Sequence, residues 1–231
     1  MGNSGNALVP TTSAKKTAVS DSAAGRDSVV AVLLAAGLST RMGKPKMLLP
    51  WLSTTLLNTM IERIVRESLL SLLVVHNPGL IIEDDRDGVS FLCNKNPDRG
   101  LSHSIRLAIE RVCVQWPEAS IAILLGDQPF VTSDDIRSTL TAFKNRSKDC
   151  HALRPRYSGL PGHPVILDRE ALSWAEQLEG DRGFGYLWRQ CGEQVGYIDY
   201  SVRERPNPAI DIDTPEDYGR ALRLVSSQSK T

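Results

Sequence analysis

Three basic residues and three acids in this chain have the types and surroundings to handle a polyphosphate. Arg41, Lys44 and Lys46 follow closely behind the small run Ala35-Ala36-Gly37, which ends an apolar stretch over residues 29–34. Small residues let a backbone approach a ligand with its N–H groups unblocked. Fixed cations beside such amides, at the end of a strand, suit a nucleoside triphosphate. Asp127 stands in Gly126-Asp127-Gln128-Pro129 after a second apolar run, where a carboxylate next to a phosphate site can hold Mg²⁺. Asp211 and Asp213 are two residues apart and share a face if that segment is extended. Each feature has a plain structural alternative: loop cations are usually solvated, and a strand-terminal Asp often only forms a turn.

The elements needed to bring these groups together can be read from periodicity. Residues 29–34 and 120–125 have the length and β-branched content of buried parallel strands. Leu56, Leu57, Met60, Ile61, Ile64 and Val65 predict an amphipathic helix over about 54–68. Strands are expected at 69–76, 88–93 and 150–155, and a helix whose apolar face is Ile105, Ala108, Ile109 and Val112, stopped by Pro117. Residues 133–146 predict another helix with Ser133 as its N-cap, and 170–180 a short one. Thr214 caps a last helix with Pro215 in its first position. Alternation of strands and helices predicts an α/β fold: a mostly parallel sheet, helices on both faces, and a ligand crevice at the strands' carboxyl ends. Ser102 and Ser104 read as caps of the helix they enter, and His163, between Gly162 and Pro164, as a residue on a restricted backbone.

Composition limits the function classes. The 231 residues carry 27 basic and 27 acidic side chains, which argues against broad binding to nucleic acid or a membrane surface. No apolar run reaches the ~20 residues of a membrane span. Four scattered cysteines, Cys93, Cys113, Cys150 and Cys191, form no C-x-x-C pair, so neither a zinc site nor a disulfide framework is suggested and a cytoplasmic setting is simplest. Residues 1–28, poor in large aliphatics, are expected to be a disordered tail, 29–226 one domain, and 227–231 a short C-terminal tail.

The run Leu34-Ala35-Ala36-Gly37-x-Ser39-x-Arg41-Met42-Gly43-x-x-Lys46-x-Leu48-Leu49-Pro50 is neither a Walker A loop nor a dinucleotide fingerprint. It resembles the signature loop of nucleotidyltransferases with a Rossmann-like fold, most closely the molybdenum cofactor cytidylyltransferases. Gly126-Asp127-Gln128-Pro129, Gly162-His163-Pro164, Gly180-Asp181-Arg182-Gly183 and Asp213-Thr214-Pro215-Glu216-Asp217 are similar to further segments of that family. They fall in the family's order across residues 29–224. The resemblance implies a Rossmann-like three-layer sandwich and transfer of CMP from CTP to the phosphate of molybdenum-molybdopterin, with release of pyrophosphate. It implies nucleotide contacts at Leu34, Ala35, Ala36 and Gly37, with Arg41 on the β and γ phosphates and Lys46 on the α phosphate. Asn94, Ser102 and Ser104 would hold base and ribose. Asp127 and Asp213, with Asp211 in reserve, would hold Mg²⁺ or Mn²⁺, and His163, Asp181 and Arg182 would face the pterin.

At one place the chain departs from the family, which tends to show a small residue and an arginine where Phe184 and Gly185 stand. Either Arg182 substitutes or the acceptor differs. Ala36, where guanylyl-transferring relatives have glycine, adds a methyl that favours a pyrimidine. A phosphate monoester acceptor is already ionised at neutral pH, so positioning and charge neutralisation suffice without a general base. Two other readings share these motifs: a sugar-1-phosphate nucleotidyltransferase, and a non-catalytic carrier serving a molybdenum hydroxylase apoenzyme.

Overall fold

The computed structural model describes residues 28–67, 71–82, 85–202 and 205–228. The expected amino-terminal tail, apart from Ser28, and the last three residues lie outside them. In chain order come β1 (Val29–Ala35), the short hairpin β2 (Pro50–Trp51) and β3 (Thr54–Thr55), α1 (Leu56–Val65), β4 (Leu72–His76), β5 (Val89–Cys93), α2 (Leu101–Gln115) and β6 (Ser120–Leu125). Then follow α3 (Ser133–Lys144), β7 (Ala152–Tyr157), β8 (Leu160–Pro161), β9 (Val165–Leu167), β10 (Val195–Tyr200) and α4 (Pro215–Gln228). Among the described residues no helix is long and apolar enough to cross a membrane.

The main sheet runs β10-β7-β9-β6-β1-β4-β5, with β8 paired to β7. β6, β1, β4 and β5 are parallel, as are β7 and β10, while β9 runs antiparallel between β6 and β7. A mostly parallel α/β sheet is thus what forms. The antiparallel insertion was not foreseen, because β9 is three residues long and has no period to detect.

β1 explains the three layers. All seven of its residues are buried, and its pleat divides them between two cores. Val30, Val32 and Leu34 pack with Ile105, Ala108 and Val112 of α2 and with residues of the 171–188 segment. Val29, Ala31, Leu33 and Ala35 pack with Leu57, Met60, Ile61 and Ile64 of α1 and Ile136, Leu140 and Phe143 of α3. Each such aliphatic side chain contributes roughly 1.5–3 kcal/mol relative to exposure. Parallel pairing puts the carboxyl ends of β1, β4, β5 and β6 on one rim.

Several helix boundaries differ from expectation for local reasons. The helix expected over 54–68 starts at Leu56, because Thr54 and Thr55 pair with the preceding hairpin strand and the Thr55 hydroxyl accepts from Asn58 N at 3.2 Å. Thr132, not Ser133, caps α3: its hydroxyl accepts from Asp135 N at 3.2 Å while Asp135 Oδ2 accepts from Thr132 N at 2.8 Å. Ser133 donates instead to the Arg63 carbonyl at 2.9 Å. The expected helix at 170–180 is a 3-10 segment, Ala171–Gln177. α4 begins as foreseen, with Thr214 and Asp217 closing a reciprocal cap at 3.1 and 3.0 Å.

A third, smaller core lies behind the basic loop. Met42, Leu49, Trp51, Phe130 and Ile212 pack with Ala221 of α4, and the Trp51 and Phe130 rings meet edge-to-face at 5.5 Å. It joins the segments that carry Arg41, Lys46, Asp127 and Asp213. Ile212 is fully buried there, between the two acids that flank it. Ile212→Ala should therefore lower unfolding free energy by roughly 2–5 kcal/mol, and Ile212→Val by only about 0.5–1.5 kcal/mol. Urea midpoints at unchanged slope measure this; an alanine cost near zero would show that this core does not anchor the acidic segment.

Candidate active site

Three backbone segments converge at the rim where β1 and β6 end. Gly126 N donates to Leu34 O and Ile212 N donates to Asp127 O, each at 3.0 Å. The second bond ties the strand-terminal acid to the 211–213 segment. Ile212 packs into the third core, while Asp211 and Asp213 on either side of it both line the cleft.

The Lys46 ammonium sits between two of these acids, 2.5 Å from Asp127 Oδ2 and 2.9 Å from Asp213 Oδ1. Arg41 reaches the other oxygen of Asp213 at 2.9 Å. Burial opposes the charge on Lys46, but Asp127 and Asp213 outweigh it and hold the ammonium above the ordinary lysine value. Burial likewise opposes the charge on Asp213, yet its bonds to Lys46 and Arg41 keep its carboxyl below the ordinary range. Asp211 goes the other way: the protein packed around it, and then the charge of Asp127, push its carboxyl up. Gln128 Nε2 donates to Asp211 Oδ1 at 2.7 Å, and the amide oxygen of Gln128 faces His163 Nδ1 at 2.9 Å. Nδ1 therefore carries the proton in this pairing, and the imidazole orients the amide.

The loop that carries the cations is held from both sides. Ser39 has left-handed backbone (φ 56°), which lets its carbonyl accept from Met42 N at 2.9 Å while its hydroxyl accepts from Lys46 N at 3.1 Å. Asn77, just past β4, donates its amide to the carbonyls of Ala36 at 3.4 Å and Gly37 at 3.2 Å. A trans peptide points its N–H away from its carbonyl. Tying those two carbonyls back thus turns the next N–H groups to the other side, where Gly37 and Leu38 line the cleft. Below, Arg63 of α1 donates to the carbonyls of Pro129 and Val131 and fixes the turn after Asp127.

The resulting cleft, about 560 Å³, is lined by Leu34, Ala36, Gly37, Arg41, Lys46, Ser104, Asp127, Asp181, Asp211 and Asp213 among the residues singled out from sequence. That volume is in the range of small-ligand sites. Asp98 and Gly100 complete the far wall. Ala35 packs into the core below the sheet rim and Asn94 is fully buried, donating to Ser104 Oγ at 2.9 Å from behind. Ser102 is buried too, and neither serine caps α2. Gly100 is the N-cap, and the turn at Gly180 and Asp181 takes the first N–H groups: Leu101 N to Asp181 Oδ1 at 3.3 Å and Ser102 N to Gly180 O at 2.9 Å. Only glycine fits at position 100, where φ is +82° and a Cβ would lie 2.6 Å from the Gly180 backbone.

His163 and Arg182 stand outside the cleft's lining. His163 turns to Gln128, and the Arg182 guanidinium lies 4.9 Å from the Tyr186 ring centre. Gly185 does leave room for an arginine, but one from another strand: Arg154 Nη1 lies 3.3 Å from where its Cβ would be. Sequence reasoning missed Ser39, Asn77, Asp98 and Gln128 as parts of the site. Asn77-Pro78-Gly79 read only as a turn, and nothing local to it signals that its amide reaches Ala36 and Gly37.

A divalent cation fits this donor set. Asp127 Oδ1 is buried and has no hydrogen-bond partner, so one carboxylate oxygen is left over beside Asp213. Among the described residues no three His, Cys, Asp or Glu side chains form a closed metal cage. Two carboxylates without a cage suit Mg²⁺ or Mn²⁺ completed by phosphate oxygens and water.

A sheet-rim cleft with glycine-flanked amides, two cations and paired carboxylates defines a site of the nucleoside triphosphate transferase class. The MobA-like NTP transferase domain family matches residues 31–195, and the chain belongs to that family. Over 191 residues it is 29% identical to the molybdenum cofactor cytidylyltransferase of Escherichia coli K12, covering 81% of this chain and 92% of that one. Rv0371c from Mycobacterium tuberculosis H37Rv superposes with a TM-score of 0.72 at 27% identity, covering 85% of this chain and 97% of that one. A structure of Rv0371c in complex with manganese gives 0.68 at 25% identity, over 85% of this chain and 98% of the other.

Two outcomes follow from this geometry. Asn77→Ala should raise KM for the triphosphate several-fold with kcat less affected, since it frees the peptides that line the cleft without touching the charged groups. Unchanged steady-state kinetics would remove Asn77 from the site. Burial, and then the charge of Arg154, lower the imidazole pKa of His163 to about 3. The unfolded chain takes up that proton near pH 6.5. The unfolded state thus binds the extra proton between those values, and stability present above about pH 6.5 is lost on acidification by up to about 1.4 kcal/mol per pH unit. His163→Asn, which keeps a donor for Gln128, should flatten the stability profile between about pH 6.5 and 5. Identical slopes in the two proteins would refute a neutral buried imidazole.

Proposed function

We propose that this chain transfers CMP from CTP to the phosphate of molybdenum-molybdopterin and releases pyrophosphate. The observation that carries the reading is the convergence of Lys46, Asp127 and Asp213 within hydrogen-bond distance, beside the Ala36–Gly37 backbone. Similarity to the Escherichia coli cytidylyltransferase supports the choice of nucleotide and acceptor. The methyl of Ala36, in the cleft wall, supports a pyrimidine over a purine.

Amides of Gly37 and Leu38 and the Arg41 guanidinium hold the β and γ phosphates in this reading, and Lys46 meets the α phosphate as negative charge builds there. Asp127 and Asp213 hold Mg²⁺ or Mn²⁺, with Asp211 beside them. Such an ion supplies charge neutralisation to the triphosphate when bound. Asn94 acts through Ser104, which lines the cleft and would meet base and ribose there, with Ser102 in the packing behind. On the acceptor side, Asp181 sets the α2 N-terminus in the cleft wall, while His163 and Arg182 act from outside the cleft's lining. The acceptor's phosphate attacks as an ionised monoester, so the site needs no base. A molybdenum hydroxylase apoenzyme is a fitting recipient of the product.

Pyrophosphate release should be measured with each of the four triphosphates, with and without molybdenum cofactor. CTP with cofactor should turn over fastest; turnover with a sugar phosphate instead would overturn the acceptor. Asp127→Asn should cut kcat by roughly 10²–10³ with circular dichroism unchanged, and Lys46→Ala should reduce kcat more than it raises KM. If only KM moved in Lys46→Ala, the lysine would not meet charge that develops during transfer.

A further inference from the structure

Between them, Asp127 and Asp213 have four carboxylate oxygens, and three already carry a cationic hydrogen bond. Asp127 Oδ2 and Asp213 Oδ1 hold the Lys46 ammonium, Asp213 Oδ2 holds Arg41, and only the buried Asp127 Oδ1 is unpartnered. A divalent ion arriving at this pair can take one oxygen freely, but any second oxygen of the pair already accepts from a cation. Sharing one oxygen through its second lone pair would place Mg²⁺, about 2.0–2.1 Å from that oxygen, close beside the ammonium. Two cations on the same oxygens also repel strongly where water is scarce, and the Lys46 side chain is only 8% exposed.

We propose that Lys46 is a resident stand-in for the divalent cation: its ammonium bridges Asp127 and Asp213 until metal and triphosphate arrive together and exchange it onto phosphate. This rests on the transfer reading above and adds how the site loads. The lysine backbone does not have to move. Lys46 N is held by Ser39 Oγ at 3.1 Å and the residue begins a 3-10 turn, Lys46–Leu48, so the exchange is a rotation of its four-carbon stem. The cleft that receives the phosphates is lined by Lys46, Ala36 and Gly37 together, so the new partner lies within reach of the old one.

The exchange makes the two ligands depend on each other. Metal alone must evict an ammonium whose other acidic neighbour in the cleft, Asp211, already accepts from Gln128. Triphosphate alone offers the ammonium a partner but strips two adjacent carboxylates of their counter-charge. Bound together, both problems disappear, and linkage makes the coupling reciprocal. Arg41, 67% exposed and bonded to the outer oxygen of Asp213, blocks the metal far less.

Mn²⁺ alone, followed by its electron paramagnetic resonance signal, is titrated into the full chain without nucleotide. Lys46→Met should bind Mn²⁺ roughly ten-fold more tightly than the wild type or better, whereas Arg41→Met should gain only about two-fold. Lys46→Arg, which keeps the charge, should stay within about two-fold of the wild type. Adding Asp127→Asn to Lys46→Met should abolish the gain. If Lys46→Met does not fold, Lys46→Gln carries the same prediction. Equal Mn²⁺ affinity in a folded neutral variant and the wild type overturns the stand-in. Pyrophosphate release by the same wild-type preparation separates the two ideas: turnover with equal affinities refutes only the exchange, while no turnover with any triphosphate refutes the transfer reading and this inference with it.

Discussion

One ammonium group joins parts of the chain that are far apart in sequence. Lys46 lies 81 residues from Asp127 and 167 from Asp213, yet its Nζ is within 2.9 Å of both carboxylates. Two carboxylates side by side at a half-dry sheet rim both stay charged more readily when a cation lies between them. Breaking such a pair at one partner costs about 3–5 kcal/mol where it is buried, more than its net contribution to stability. The arrangement is therefore demanding to keep. The surrounding scaffold is consistent with that demand, since each of the three segments is independently anchored.

Those anchors come from different layers. The β1–β6 ladder fixes where Asp127 emerges, Ile212 N clips the acidic segment to Asp127 O, and the core around Trp51 and Phe130 holds α4 against the loop that carries Lys46. Polar side chains then set peptide directions: Asn77 for the 36–37 turn, Ser39 for Lys46, Arg63 for the turn after Asp127. Donors and charges fixed before the ligand arrives are the kind of site that stabilises developing charge without reorganising. Gln128 and His163 extend that order to Asp211 through neutral hydrogen bonds, which adds no charge to an already acidic wall.

The far wall has its own logic. Gly180 and Asp181 occupy the first N–H groups of α2, so that helix end is closed by protein, and the tight contact at Gly100 locks the turn in place. Phe184 is buried in the core that α2 shares with β1, and Arg154 fills the space that Gly185 leaves open. The departure from the family's pattern at these two positions is thus accommodated by packing rather than by a loosened loop.

Much of this was legible in the sequence because its cause is local. The 29–34 run, the face of α1, the strand at 120–125 and the Thr214 cap all depend on spacing or on chemistry within a turn. The sequence alone determined the α/β class, the basic loop at a strand end and the identity of its charged residues. What only tertiary structure decided are the contacts made across the sheet: Lys46 bridging two acids, Asn77 reaching back to Ala36 and Gly37, and β9 entering antiparallel. Side-chain periodicity records which way a segment faces, but not which distant partner it meets. That pairing is set by strand order and by where buried charge can find its counter-ion.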